Sequence, residues 1–314
     1  MKELSAKTIL IATGIIVLLI ASGFGLYTWL KFNQEPYTYE LLYEGDPLLY
    51  NPYSVILVNP ELHPNVHFWA AAEFAKWLIS DNGQQAIANY RKYDTQLFHP
   101  DFRPESLSPE EKAFWDNITI GASPPTSIML ATTTSTRDSG LLDYLIPLFE
   151  KISNVTVKYI GVGTGAALDT AREGNADIVM VHAESLELEF VNEGHGIHRV
   201  HFMYNDFIVV GPGNDPANIR AAMNVTEAFL RIYQTKSLFV SRGDNSGTNV
   251  KELSIWATAG VTINPDNETW AEENSWYIES GQGMSSTLTM AYNLKAYTLV
   301  DRATWLAVHE SLDT

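Results

Sequence analysis

Apolar and polar positions follow two kinds of pattern along this chain, short apolar runs and longer stretches with apolar residues at helical spacing. The run at 54–58 is short and rich in β-branched residues, which predicts a buried strand. Residues 68–90 have helical spacing, and the Asp-Asn-Gly sequence at 81–83 predicts a break between two helices. Residues 99–127 are rich in Pro, Ser, Asp and Glu, a composition typical of a linker.

From residue 127 onward, short apolar runs alternate with amphipathic stretches. The predicted strands are 127–132, 155–162, 176–183, 202–212, 237–244, 275–280 and 296–300. The predicted helices are 138–152, 163–174, 227–236, 246–260, 283–295 and 303–310. Strands that alternate with helices predict an α/β fold in which each lobe is a mostly parallel sheet covered by helices. The elements fall into two sets of similar plan, which predicts two lobes.

The first residues have a different character. Residues 8–30 contain no charged side chain and are long enough to cross a bilayer as one helix. Lys2 and Lys7 precede this segment, which favours an N-terminus inside the cell. We therefore expect a single-pass helix in the cell membrane, a short stem up to residue 36 and an extracytoplasmic body. A cleaved signal peptide is the alternative.

Composition narrows the classes of function. The 314 residues carry a net charge of −17, which argues against a nucleic-acid partner because phosphate backbones attract clustered Lys and Arg. An anionic small ligand remains compatible, since a local ring of N–H and O–H donors binds an anion even in an acidic protein. Cysteine is absent, which excludes disulfides, thiolate metal sites, cysteine nucleophiles and a lipid-modified N-terminal cysteine.

Three predicted strand-to-helix junctions share one chemical signature. They lie at 132–140, 161–165 and 241–248, and each combines hydroxyl side chains, glycines and a helix start. Free N–H groups at a helix start favour negative charge, and glycine lets the backbone approach a ligand closely. Two further strand ends, 280–284 and 300–303, are candidates to complete a ring. For any one loop, simple helix capping is the alternative.

Other chemistries have weaker support. The glycines at 161–165 also fit a dinucleotide loop with Asp177 or Glu184 as the ribose acid, but that loop follows the second strand of its lobe. No P-loop motif is present. A hydrolase would need Ser135 or Ser246 beside a histidine, and no GxSxG elbow occurs.

The histidines do not have the spacing of a metal-binding helix. Four histidines lie near one another in the sequence, and we interpret them as surface and strand-end residues: His182, His195, His198 and His201. We therefore expect no catalytic residue, no metal-cation site and no cofactor.

Taken together, the motifs resemble the tungstate-binding component of Tup-type ABC importers, a family of type II-like periplasmic binding proteins with two α/β lobes. The matching stretches are 45–65, 74–87, 131–151, 161–183, 190–212, 239–256, 276–291 and 296–307. The resemblance implies a binding protein that captures an oxyanion, with tungstate as the first candidate and molybdate as the second. It also implies that the protein is not an enzyme. It also implies permease and ATPase partners, and two crossing strands at 53–59 and 204–210.

Carried over motif by motif, the resemblance implies one set of anion-binding residues: Thr133, Thr134, Ser135, Gly163, Thr164, Arg242, Ser246, Gly247 and Thr248. Arg242 is the leading candidate, because its charged fork can meet two oxygens of a dianion. Its alternative role is an ion pair with Asp244 or Asp301. Asn249 stands where the family usually has histidine, which puts a ligand role for that side chain in doubt.

The order of the matching stretches departs from the family. Residues 41–60 resemble a segment that closes the family's chain, so this protein resembles a circular permutant with its ends at Thr314 and near Tyr37. We expect lobe 2 to comprise 37–56 and 206–314, lobe 1 to comprise 57–100 and 126–205, and a linker at 101–125 to join the ancestral termini; 1–36 form the N-terminus, membrane helix and stem. Residues 39–43 should then pack in the lobe that holds Arg242.

Two other functions stay open. A membrane-tethered sensor or adaptor for tungstate or molybdate would keep the fold without the transport role. An extracellular serine hydrolase using Ser135 or Ser246 is the third reading.

Overall fold

The structure is a computed structural model, and it describes residues 38–92 and 94–312. The predicted membrane segment at 8–30 lies outside the described residues. Within the described part of the chain, no helix is both long enough and apolar enough to span a bilayer.

The described strands and helices follow the predicted alternation over most of the body. The strands are β1 Tyr39–Tyr43, β2 Tyr50–Val58, β3 Arg91–Lys92, β4 Thr95–Gln96, β5 His99–Pro100, β6 Thr126–Thr133, β7 Val155–Val162, β8 Ile178–Val181, β9 Gly196–Pro212, β10 Phe239–Ser241, β11 Tyr277–Glu279 and β12 Thr298–Asp301. The helices are α1 Phe68–Ile79, α2 Asp81–Asn89, α3 Pro109–Asn117, α4 Thr134–Ser139, α5 Leu141–Glu150, α6 Thr164–Arg172, α7 Glu184–Asn192, α8 Val225–Thr235, α9 Gly247–Thr258, α10 Glu268–Glu273, α11 Met284–Leu294 and α12 Arg302–Leu312.

The main sheet is mixed, which corrects the expectation of mostly parallel sheets. Its order is β1-β9-β2-β8-β6-β7, and β5 and β12 also pair with β9. Strand β6 pairs in parallel with β7 and β8, as strands joined by crossover helices do. Strands β2 and β9 pair antiparallel with each other, because the chain passes along them in opposite directions.

Several apolar cores lie along the crossing strands, and two of them define the lobes; a smaller one includes Ile56 and Val58 of β2. The first core includes Tyr53 of β2 and Met203 of β9. The second core includes Leu49, next to the start of β2, and Phe207 of β9. Strand β9 therefore supplies residues to both cores, and β2, which pairs with it, begins directly after a residue of the second core and continues into the first. We call the parts packed around the first and second cores lobe 1 and lobe 2.

Strand β1 belongs to lobe 2. It pairs antiparallel with the end of β9, from Val209 to Pro212. Leu42 is buried in the second core, and the Tyr39 hydroxyl donates to the Ala296 carbonyl at 2.8 Å. Phe239 in the same core lies on the strand that leads to Arg242. Strand β1 thus packs in the same core as the strand that leads to Arg242.

The segment interpreted as a linker has more structure than its composition indicates. It contains helix α3, whose cap Ser108 accepts a hydrogen bond from the Glu111 N–H at 3.2 Å. Trp115 of this helix is buried in the first core. The buried carboxylate of Glu73 accepts from the Gly121 and Ser123 N–H groups at 2.7 and 2.6 Å. The segment thus covers one side of lobe 1.

Leu42→Ala should lower the free energy of unfolding by about 2–4 kcal/mol, because it leaves a cavity in a core that cannot fully collapse. Urea unfolding of the purified chain measures this change. Leu48→Ala is the matched control, since Leu48 is 41% exposed on the neighbouring turn, and it should change stability by less than about 1 kcal/mol. Equal effects of the two variants would mean that β1 is not an integral part of lobe 2.

Candidate functional site

The first loop joins β6 to α4 in lobe 1. Thr133 caps the helix, with its hydroxyl accepting from the Thr136 N–H at 3.3 Å. The Thr133 and Ser135 hydroxyls lie 3.1 Å apart, and both side chains are buried, whereas Thr134 is half-buried. The loop therefore packs several hydroxyls against one another at the end of a strand.

The second loop joins β7 to α6, also in lobe 1. Gly163 occupies the cap position, so no side chain caps this helix. The Thr164 hydroxyl is fully buried and has no hydrogen-bond partner among the described residues. A Cβ placed on Gly165 would lie 3.5 Å from the Asn245 side-chain nitrogen, which belongs to the third loop. The second and third loops therefore approach closely, although they come from different lobes.

The third loop joins β10 to α9 in lobe 2 and carries Arg242. This side chain is 5% exposed, and its Nη2 donates to the Asp244 carboxylate at 2.5 Å. The ion pair considered from the sequence is therefore present, but the buried Nε has no partner among the described residues. Ser246 caps α9 by accepting from the Asn249 N–H at 3.3 Å, and Thr248 is buried beside it.

His182 lies where the first and third loops meet. It follows strand β8, as predicted, but it is buried and not on the surface. Its Nε2 lies 3.4 Å from the Ser135 hydroxyl. A Cβ placed on Gly247 would lie 2.8 Å from the imidazole Cε1, so this glycine rests directly on the ring. Sequence reasoning missed this residue, although its place at the carboxyl end of a strand matches that of the three loops.

The other face of His182 is held by the crossing strands. Its Nδ1 lies 2.9 Å from the Asn51 side-chain oxygen, and its ring stacks on Tyr53 with centroids 4.6 Å apart. Burial, followed by the positive charges of Arg242 and Lys251, lowers the pKa of His182 to about 3. The imidazole is therefore neutral near pH 7.

A buried carboxyl supports the third loop from behind. Glu252 accepts from Ser241 at 2.5 Å, from Tyr277 at 2.8 Å and from Trp256 at 2.9 Å. Burial raises its pKa to about 7, against the lowering effect of these donors.

Asn249 is engaged within the same loop. Its amide donates to the Ser241 hydroxyl at 3.2 Å, and its oxygen accepts from the Asn245 N–H at 3.1 Å. The Asn249 side chain therefore shapes the loop.

The two further strand ends predicted from the sequence are 280–284, which contacts the third loop, and 300–303, which lies near the charge of Arg242. The Gly281 N–H donates to the Arg242 carbonyl at 2.9 Å. Asp301 is buried and caps α12, accepting from the N–H and hydroxyl of Thr304 at 2.8 and 2.7 Å. Burial raises the pKa of Asp301, whereas the Arg242 charge lowers it. Arg242 thus acts electrostatically on a second carboxyl besides Asp244.

Asp177, one of the two acids considered for dinucleotide binding, has another role in the structure. The Asp177 carboxylate accepts from the Met129 N–H at 2.6 Å and from the His67 N–H at 2.5 Å. These bonds tie neighbouring segments of lobe 1 together, so Asp177 has a structural role.

A cleft of about 240 Å³ opens beside the meeting point of the loops. Its lining includes His182, Gly247, Lys251 and Glu184. Both His182 and Gly247 therefore face this cleft as well as each other.

Two lobes joined by paired crossing strands, with donor-rich loops facing between them, define a binding protein of the periplasmic type. The model of the PBP superfamily domain matches residues 121–314, and the chain belongs to this superfamily.

Relatives of known name lie close in sequence. A putative ABC transporter anion-binding protein of Haloferax volcanii is 49% identical over 186 residues, which cover 59% of this chain and 52% of the relative. The tungstate-binding protein TupA of Peptoclostridium acidaminophilum is 45% identical over 188 residues, which cover 59% of this chain and 63% of the relative. The match thus spans between half and two-thirds of the length of these relatives.

Among solved structures, the tungstate-binding protein TupA from Desulfovibrio alaskensis G20 is 40% identical. The match covers 60% of this chain and 72% of that chain, with a TM-score of 0.50. The relatives are thus named as binding proteins.

Glu252→Gln should remove one component of the pH dependence of stability. The usual pKa of this carboxyl is 4.5 and its folded pKa is about 7, so the folded protein keeps a proton that the unfolded chain has released in that window. Stability therefore falls as pH rises from about 4.5 to about 7, by at most about 3 kcal/mol. Glutamine resembles the protonated acid and should flatten this fall. Urea unfolding at several pH values tests it, and parallel profiles for the two proteins would contradict the assignment.

Proposed function

We propose that the protein captures a tetrahedral oxyanion, foremost tungstate and next molybdate, and delivers it to the permease and ATPase of an ABC importer. The observation that carries the proposal is the convergence of loops from both lobes around buried donors. Arg242 Nε and Thr164 Oγ1 are buried donors without a partner among the described residues. Buried polar groups are nearly always hydrogen-bonded in proteins, and because these two unpaired donors lie on the converging loops, they support a ligand that accepts. The names of the relatives support an anion and, for TupA, tungstate.

The chemistry of the donors suits an acceptor-only dianion. Guanidinium, hydroxyl and backbone N–H groups all donate, and charge-assisted bonds to an anion are the strong ones. A protonated oxyanion would need an acceptor, and among these groups only the hydroxyl oxygens can accept. Discrimination against sulfate then depends on the size of the space between the closed lobes. In this proposal the anion is bound by the nine residues predicted from the resemblance, on the loops at 133–135, 163–164, 242 and 246–248, and no covalent step occurs.

One contact favours a hydrolase at first sight, because Ser135, His182 and Asn51 form a chain of side chains similar in type to a catalytic triad. A triad histidine must accept a proton, and an anionic partner stabilises the resulting imidazolium. Here the partner is a neutral amide, and burial with two nearby cations holds the pKa of His182 near 3. The imidazole is therefore a poor base, which supports binding without hydrolysis.

We also propose that the chain is a circular permutant of the family. Residues 39–58 supply a strand and apolar side chains to the same two cores as the rest of the body. The family model nevertheless begins only at residue 121. A collinear comparison misses a segment that occupies the same place in the fold but another place in the chain. Helix α3 and the 121–123 turn then belong to the connection between the ancestral ends.

Arg242→Ala should weaken tungstate binding by about 100-fold or more, because each charge-assisted hydrogen bond to a buried anion contributes about 1.5–3 kcal/mol. Isothermal titration of the purified chain with tungstate, molybdate, sulfate and phosphate measures the affinities. Arg231→Ala is the matched control, since Arg231 also forms an ion pair in lobe 2, with Glu227 at 2.8 Å, but on helix α8. Its affinity should equal that of the unmodified protein. Absence of oxyanion binding in the unmodified protein would refute the proposal, and full affinity in Arg242→Ala would remove Arg242 from the site.

The proposed location is the outer face of the cell membrane, with residues 8–30 as an uncleaved tether. The basis is the uncharged sequence of this segment. The full chain should stay in the membrane pellet after alkaline carbonate washing, and its intact mass should include residues 1–36. A mature chain that begins beyond residue 30 would identify a signal peptide instead.

A further inference from the structure

His182 contacts three parts of the molecule that must come together for an anion to be enclosed. Its Nε2 faces the Ser135 hydroxyl of lobe 1 at 3.4 Å, and its ring faces Gly247 of lobe 2. Its Nδ1 faces Asn51 of a crossing strand at 2.9 Å. His182 therefore touches both lobes and the connection between them.

The hydrogen bonds around the ring fix its tautomer. The Asn51 amide nitrogen donates to Asn205 at 2.5 Å, so the Asn51 oxygen is left to accept from His182. The Asn205 amide in turn donates to the Tyr53 hydroxyl at 3.4 Å. With Nδ1 as the donor, the neutral ring presents Nε2 as an acceptor, and the Ser135 hydroxyl donates to it. The ring thereby holds this hydroxyl in one orientation, and in the proposed complex Ser135 donates to the anion through its backbone N–H, since its one hydroxyl hydrogen is directed at the imidazole.

Gly247 shows how tightly lobe 2 sits on the ring. An added Cβ would lie 2.8 Å from Cε1, 2.9 Å from Nδ1 and 3.2 Å from Nε2. These distances are too short for a methyl group unless the ring or the helix moves. The first residue of helix α9 can therefore reach this position only without a side chain, and the closeness of the lobes depends on it.

We infer that His182 is a positioning residue that couples anion capture to lobe closure, holding the Ser135 hydroxyl and forming the seat for Gly247. This inference rests on the proposed function, because it assigns a role within the same oxyanion site. The imidazole contributes no charge to the anion. Its effect is exerted through the first and third loops, whose relative placement it sets.

Two variants separate the two parts of this role. His182→Phe keeps a flat ring against Tyr53 but removes both nitrogens, so it should weaken tungstate binding by about tenfold, the value of one hydrogen bond that leaves its partners unpaired. Gly247→Ala should weaken binding by about tenfold or more, because the methyl group separates the lobes. His198→Phe is the matched control, since His198 also stacks on an aromatic ring, Phe114, in lobe 1. Its tungstate affinity should not change.

A double-mutant cycle tests the direct contact. His182→Ala makes room for the methyl of Gly247→Ala, so the combined variant should bind tungstate at least about fivefold more tightly than the product of the two single effects predicts. Hydrogen exchange of residues 241–250 provides a second readout. Tungstate should protect this segment in the unmodified protein and protect it less in His182→Phe, with urea unfolding used to verify that each variant is folded.

The outcomes are distinguishable. If the unmodified protein binds no tungstate, molybdate, sulfate or phosphate, the proposed function fails and this inference fails with it. If the unmodified protein binds but His182→Phe has the same affinity, or the two single effects simply add, the inference alone is overturned.

Discussion

The pairing of β2 with β9 is the constraint on which the rest of the structure depends. Strand β9 supplies residues to both cores, and β2 begins next to Leu49 of the second core and continues into the first, so the register of the two strands sets the position of lobe 1 relative to lobe 2. Asn51 and Asn205 stand directly opposite each other in that register and are joined side chain to side chain. Both are buried, and a buried amide without partners is costly, so a slip of one residue would leave them unpaired. The polar pair thus specifies the register where apolar residues alone would specify it less well.

The same pair leads directly into the candidate site. Asn51 fixes the orientation of His182, and His182 contacts loops from both lobes. The side chains of Asn205, Asn51 and His182 therefore connect the register of the crossing strands to the loops. The electrostatics of the site are modest for a dianion. Arg242 is partly balanced by Asp244, and burial keeps His182 neutral. The proposed binding of an anion would therefore draw on hydroxyl and backbone N–H dipoles as much as on net charge, which fits a protein with a net charge of −17.

Local patterns in the sequence predicted most strands and helices of the body, because each is marked by its own apolar periodicity. They failed where polar residues lie within an element. Strand β9 begins at Gly196, six residues before its predicted start, since its first part carries His and Arg side chains. Helix α3 was missed although Ser108 followed by Pro109 and two acidic residues is a helix start, because the surrounding composition indicated a linker.

The site was predictable only in part, for a related reason. Hydroxyls and glycines at strand ends identify loops, and the loops do converge. The roles of His182 and Glu252 depend on burial by residues far away in the chain. Glu252 has the sequence appearance of a solvated charge on an amphipathic helix, yet it is buried beneath the third loop. A single sequence contains no signal that separates these two cases.

The order of segments along the chain adds one further physical consequence. Residues 39–58 precede most of the body in the chain but pair with β8 and β9, more than 120 residues later, and Tyr39 bonds to Ala296 across 257 positions. Contacts of such separation carry a large loop-closure entropy and form late in folding. Neither core can be completed before β9 exists, because β9 supplies residues to both. The two lobes are therefore coupled in assembly by the same two strands that couple them in the folded protein, and we expect a change at the crossing to affect both stability and the spacing of the three loops of the candidate site.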